Sequence, residues 1–147
     1  MFLFLLKNLR WVFAVFFVLI ALSLWAYISD LHSRFPDVDM KRSRIGTVSW
    51  YSESDLWINE RTASGEHFDE TAMTCASWDH PFGEKLLIIN AMNGKWVVCR
   101  VNDRGPNHRL RRAIDLTKGA FSKIANPKRG LIHAFIIPTQ KKKDAVR

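Results

Sequence analysis

The run Asn102-Asp103-Arg104-Gly105-Pro106 sets a carboxylate between an amide and a guanidinium, at the end of a compact apolar strand, Trp96-Val97-Val98-Cys99-Arg100-Val101. A turn by itself needs only the Asn-Asp and Gly-Pro pairs. Three further acids stand in short segments nearby: Glu66 and Asp69 within Thr62-Ala63-Ser64-Gly65-Glu66-His67-Phe68-Asp69, and Asp115 within Ile114-Asp115-Leu116-Thr117. Carboxyl groups of this kind suit acid–base work on a glycosidic bond, where an acid protonates the leaving oxygen and a second group handles the nucleophile. Such an acid needs a raised pKa, obtained by burial or from a neighbouring carboxylate. Asp103 is the first choice. Asp115 lies between two apolar residues, so in a strand it points away from them, into a groove or onto the start of the following helix.

These residues need a scaffold of short strands. Ile45 to Tyr51 is rich in β-branched and aromatic residues, and Lys85–Ala91 and Lys95–Val101 flank Met92-Asn93-Gly94, a hairpin signal. Leu131–Pro138 reads as a last apolar strand. One helix is predicted after Thr117 as N-cap, ended by Asn126-Pro127. Five or six strands and one helix in roughly ninety-five residues predict a mainly β fold, a small barrel with a thin core.

The N-terminal part is different in kind. Residues 11–28, WVFAVFFVLIALSLWAYI, carry no charge and follow Lys7 and Arg10. At ~1.5 Å per residue such a helix spans roughly 27 Å, close to a bilayer core. Basic residues before the run and Asp30 after it place the N-terminus inside and the remainder outside. A cleaved signal peptide and an uncleaved transmembrane anchor both remain open, and the length of the run favours the anchor. The expected organisation is an anchor at 1–30, a polar linker at 31–44, a barrel at 45–140 and a basic tail at 141–147.

The chain carries a formal charge of +8, and removing Lys7, Arg10 and Asp30 leaves +7 beyond residue 30. For an exported domain, anionic wall polymer or lipid headgroups fit this excess better than nucleic acid. Export also permits a disulfide, and Cys75 and Cys99 can pair if their strands are neighbours. The other reading is two small buried hydrophobes. No His/Cys/Asp set has metal-ligand spacing, so neither a metal nor another cofactor is expected.

Gly46-x-x-Ser49-Trp50-Tyr51, the Thr62–Asp69 run, the segment from Thr74 to Gly83, the Asn-Gly hairpin, the Asn102–Pro106 run and Ile114–Thr117 occur in one order over residues 45–138. That order resembles the rare lipoprotein A family, whose domain is a double-psi β-barrel related to barwin and to expansins. The resemblance implies a peptidoglycan lytic transglycosylase, acting on glycan strands stripped of stem peptides and leaving an anhydro end. It implies functional acids at Asp103, Glu66, Asp69 and Asp115, with Ser49, Trp50 and Tyr51 in the groove. Arg104 would pair with Asp103 or hold a muramyl lactate carboxylate. It also implies glycan strands as partner, with cell-division or wall-remodelling proteins as candidates; the apolar run at 11–28 makes the inner membrane a further partner, with the barrel on its outer side. The family's C-terminal wall-binding repeat is not expected here. One departure stands out: the family's functional His falls on Ser77, and His80 is three residues further on. That departure favours, as the alternative, a non-catalytic glycan-binding or wall-loosening module. A wall protein that kept the barrel and lost its site is a third reading, against which the four retained acids speak.

Overall fold

The computed structural model describes residues 2–34, 38–56 and 58–139, without the side chains of 2–10, 28, 31, 32 and 34. It divides into two units, Met1–Pro36 and Asp37–Arg147. The first is a helix, α1 (Phe2–Arg34). Its described side chains from Trp11 to Tyr27 are all exposed, and Ser23 is the one small polar residue among them. Among the described residues, no helix is long and apolar enough to cross a membrane. The described apolar stretch stops at Tyr27, and position 28, the last of the expected spanning run, lies outside the described side chains. The expected basic tail at 141–147 is likewise outside the described residues.

The second unit holds six strands: β1 (Arg44–Tyr51), β2 (Thr74–Ala76), β3 (Lys85–Asn90), β4 (Trp96–Asp103), β5 (Ile114–Thr117) and β6 (Ile132–Pro138). They close into a barrel in the order β1-β5-β2-β4-β3-β6. β1 pairs with β5 and β2 with β4 in parallel, while the other four contacts are antiparallel. Period-2 alternation explains the closure. Val97, Cys99 and Val101 of β4 and Ile114 and Leu116 of β5 point into the core, as do Val48, Leu86, Ile88 and Ile136. Burying each such aliphatic side chain contributes about 1.5–3 kcal/mol.

Helix α2 (Lys118–Ile124) packs on this core through Phe121 and Ile124, with Thr117 accepting from Ala120 N at its start. Gly119 fits against the Thr71 backbone, where a Cβ would stand 2.7 Å from the carbonyl oxygen. Cys75 and Cys99, on the neighbouring strands β2 and β4, form a buried disulfide with Cα atoms 5.8 Å apart.

Residues 38–44, expected as linker, fold onto the barrel. Val38 bridges Thr139, and Asp39 N donates to Pro138 O at 2.7 Å. Arg42 then reaches the buried Glu84 through both oxygens, at 2.7 and 3.2 Å.

Candidate functional site

A β-bulge builds the site. Cys75 pairs with Val101, but the next residue, Ala76, pairs with Asp103, so Asn102 is the extra residue on β4. Bulges of this kind re-aim side chains. On its other side Ala76 pairs with Asp115 of β5, which in turn pairs with Ser49 of β1. Asp103, Ala76, Asp115 and Ser49 therefore form one row across four strands. Neighbours in such a row share a face of the sheet, and Ile114 and Leu116 fix that face as the outer one. Ala76 leaves the space between the two carboxylates low.

Above the row lies an open groove of about 730 Å³, lined among others by Trp50, Tyr51, Asp55, Asp103, Arg104, Arg112 and Asp115. The 52–69 loop forms one wall. It is anchored by Phe68 and Ile58 against Tyr51 and Ala76, and the Phe68 and Tyr51 rings stack at 4.9 Å. Gly105 is a floor residue: a Cβ there would come within 3.3 Å of Ala76 Cβ and 3.9 Å of Asp115 Oδ2.

The acids differ in environment. Asp103 Oδ1 accepts from Ala63 N and from Arg104 N, each at 2.8 Å, which fixes the side chain between the two loops. Asp115 accepts from the buried Ser49 hydroxyl, which itself accepts from Arg112 Nη1 at 2.7 Å. Burial pushes the Asp115 carboxyl above its ordinary value; the Ser49 bond and the Arg112 charge oppose this, and Asp55 adds to it. Of the acids along the row, Asp115 is the one held above its ordinary value. Tyr51 Oη is buried and has no partner in hydrogen-bonding geometry, although Asp103 is near enough to act on it. Burial first, then the charges of Asp103 and Asp115, hold this phenol well above its usual range.

Glu66 and Asp69 do not line the groove. Glu66 takes Arg100 through both oxygens, at 2.7 and 2.8 Å, and Asn102 Nδ2 at 3.0 Å. Its pKa falls to about 2, through the Arg100 bond and then the Asn102 bond, so it is ionised at neutral pH. Asp69 caps its own turn by accepting from Thr71 N and Oγ1, which lowers its pKa.

Arg104 makes no ion pair with Asp103. Its Nη1 donates to Ser77 O at 2.6 Å and His80 O at 2.9 Å, and the guanidinium lies 3.8 Å from the centre of the Phe82 ring. Ser77 is fully buried, its hydroxyl accepting from Asp79 N at 3.3 Å. His80 is turned to Glu84, with Nδ1 2.8 Å from Oε2, and does not line the groove. Arg112 was not singled out from the sequence. Its spacing of three residues from Asp115 was the available signal, and the structure sets the two 3.7 Å apart.

The closed six-stranded barrel and its carboxylate-lined groove define a protein of the double-psi β-barrel class. The family described as lytic transglycolase matches residues 43–136, and the chain belongs to it. Among curated relatives, an endolytic peptidoglycan transglycosylase RlpA of Neisseria meningitidis is 36% identical over 94 residues, which are 64% of this chain and 38% of the relative. A probable endolytic peptidoglycan transglycosylase RlpA of a Nostoc species is 45% identical over 75 residues, 51% of this chain and 20% of the relative. The chain thus spans well under half the length of these relatives. In fold it is similar to a Streptomyces papain inhibitor, with TM-score 0.50 and 21% identity over 69% of this chain and 98% of that one. It is also similar to a mutant Clavibacter michiganensis expansin solved in complex with cellohexaose, with TM-score 0.51 and 16% identity over 67% of this chain and 50% of that one.

Proposed function

We propose that the barrel is an endolytic peptidoglycan lytic transglycosylase, cleaving the bond between N-acetylmuramic acid and N-acetylglucosamine in glycan strands. The observation that carries the reading is the row of Asp103, Ala76, Asp115 and Ser49 beneath an open groove. Asp115, whose carboxyl burial pushes above its ordinary value, gives its proton to the glycosidic oxygen as the C1–O4 bond breaks. The C6 hydroxyl of the same muramyl unit closes on C1, and its proton passes to Asp103. One strand end leaves with a free 4-hydroxyl and the other with a 1,6-anhydro ring, so atoms and charge balance without water. The names of the relatives support the same substrate class.

The second reading, a glycan-binding module that does not cut, is favoured by Ser77. It stands where the family's His is expected, and among the described residues no histidine lines the groove. Mass spectrometry of the soluble products of amidase-treated peptidoglycan separates the two. Anhydromuramyl ends, lost in Asp115→Asn, are expected of the enzyme; intact strands that co-sediment with the protein would overturn it in favour of the binder.

We also place the barrel outside the cytoplasmic membrane, held there by α1. Seventeen consecutive exposed residues from Trp11 to Tyr27, nearly all apolar, are unfavourable in water and favourable in lipid. The buried disulfide fits an oxidising compartment. Fractionation with and without detergent tests this: release by salt alone would sink it.

A further inference from the structure

We propose that the barrel docks on an anionic bilayer through the outer wall of β1, β6, β3 and β4, and so turns its groove away from the lipid. This rests on the placement of α1 in the membrane given above.

The pairing register defines the surface. Ile45 of β1 pairs with Phe135 of β6, Phe135 with Ile89 of β3, and Ile89 with Trp96 of β4. Residues paired in this way share a face of the sheet. Their strand neighbours Ala134, Ile88 and Val97 belong to the core, so the row lies on the outside. An antiparallel wall facing water ordinarily carries polar residues at such positions. Here Ile45 is 64% exposed, Phe135 42% and Trp96 48%, with Ile89 half-buried between the two aromatic residues. Met92, exposed in the turn from β3 to β4, extends the strip at its Trp96 end. A contiguous apolar strip of this kind marks a contact surface for a partner or a membrane.

Three features select the bilayer as the occupant. The first is charge: β1, β3, β6 and the turn at 91–95 contain no Asp or Glu, while Lys85 and Lys95 are exposed on or beside this wall. Beyond β6 the sequence continues to Lys141-Lys142-Lys143. Trp and Phe next to lysines suit the boundary between acyl chains and anionic headgroups. The second is reach. Four Cα steps separate Arg34, the last residue of α1, from Val38, which is bridged to Thr139 just past the end of β6. Those steps span at most about 14 Å, so a membrane-held α1 keeps this end of β6 near the lipid. The third is closure: the strands form a closed barrel, which leaves a second copy no open strand edge to pair with here.

The strand order gives the contact a consequence. In the closed order β1-β5-β2-β4-β3-β6, the pair β3 and β6 stands opposite the pair β5 and β2. β5 and β2 carry Asp115 and Ala76 of the site row. A barrel lying on lipid by its β3–β6 wall therefore opens its groove toward the aqueous side, where a wall polymer would be met.

The test is nitroxide accessibility on the full chain, reconstituted in vesicles of phosphatidylcholine and phosphatidylglycerol. One label is placed on the docking wall by His133→Cys, a second in its turn by Met92→Cys, and a third beside the groove by Ser54→Cys; all three positions are exposed. Oxygen, which concentrates in lipid, is expected to relax the labels at 133 and 92 more than a water-soluble nickel chelate does, with the order reversed at 54. Replacing Ile45, Phe135 and Trp96 together by Ser is expected to return the label at 92 to the chelate. Equal chelate access at 133, 92 and 54, in a chain that resists alkaline carbonate extraction, overturns the inference and leaves the placement of α1 standing. Shielding of 133 from both relaxants, with dipolar broadening between labels, overturns it in favour of a second copy on the same wall. Extraction of the chain by carbonate sinks the placement of α1, and the inference with it. The two wall labels are read independently, so one poorly folding variant does not decide the outcome.

Discussion

Asp103 and Asp115 pair with the same residue, Ala76, from its two sides. The carboxylates sit two strands apart, with Cα atoms on the order of 10 Å from one another, over a side chain too small to separate them. One is fixed by two backbone N–H groups and the other is buried beside a hydroxyl and an arginine. That asymmetry places two identical side chains in different environments.

Asp115→Asn is expected to lower the rate of anhydromuramyl release at least about 100-fold, the loss of a general acid, with the near-UV spectrum unchanged. The effect on stability has the opposite sign. A carboxyl whose folded pKa is raised stabilises the protonated fold; that contribution is complete below the unfolded value and is lost as pH rises through the folded one. Wild type should therefore lose stability relative to Asp115→Asn as pH climbs above the ordinary aspartate range. Parallel urea melts from pH 3 to pH 8 read this directly; a constant difference refutes it.

Glu66 acts at one remove. Its bonds to Arg100 and Asn102 hold the loop whose Ala63 N–H fixes Asp103. Glu66→Gln should reduce turnover while leaving the alkaline limb of the pH profile, set by Asp115, in place. Because its pKa is depressed to about 2, the stabilisation it lends is present above the unfolded value of 4.5 and disappears as pH falls toward 2. The pair is well exposed, so Glu66→Gln should cost less than ~1 kcal/mol at neutral pH.

Tyr51→Phe removes a buried hydroxyl that, among the described residues, has no partner in hydrogen-bonding geometry, with Asp103 close by. Global stability should be unchanged or slightly higher in chemical melts. Glycan affinity should fall roughly fivefold, about 1 kcal/mol, if the phenol donates to the sugar between the two carboxylates. A clear loss of stability would show instead that the hydroxyl is bonded within the fold.

Reduction of Cys75–Cys99 opens a loop with a sequence separation of 24. Loop-closure entropy gives a loss of about 3 kcal/mol, and a Tm lower by more than ~10 °C in a domain of this size. Thermal melts with and without a strong reductant, compared with the Cys75→Ala/Cys99→Ala double variant, check it.

Much of the barrel was legible because its elements are local. The hairpin between β3 and β4 follows from Met92-Asn93-Gly94, and α2 begins just after its N-cap, Thr117, as the capping chemistry requires. The order of the strands was not written in any local pattern, and the resemblance supplied only the class of barrel. The bulge after Val101 was invisible for a related reason: Asn102 looks like an ordinary strand residue until its partner strand is known. Sequence adjacency suggested a pair of Arg104 with Asp103, whereas the guanidinium is taken by the carbonyls of Ser77 and His80, more than twenty residues away. Arg112 was overlooked because its partners, Ser49 and Asp115, come from two different strands.

The bridge between Val38 and Thr139 brings the two ends of the folded unit side by side. The barrel is therefore a closed excursion of the chain, leaving and returning at one point. A unit of that geometry can be spliced between other segments without disturbing its interior. That matches relatives in which the aligned part is as little as 20% and as much as 38% of the whole. The groove is built entirely from residues between those two ends, so it is carried whole by whatever segments the unit is joined to.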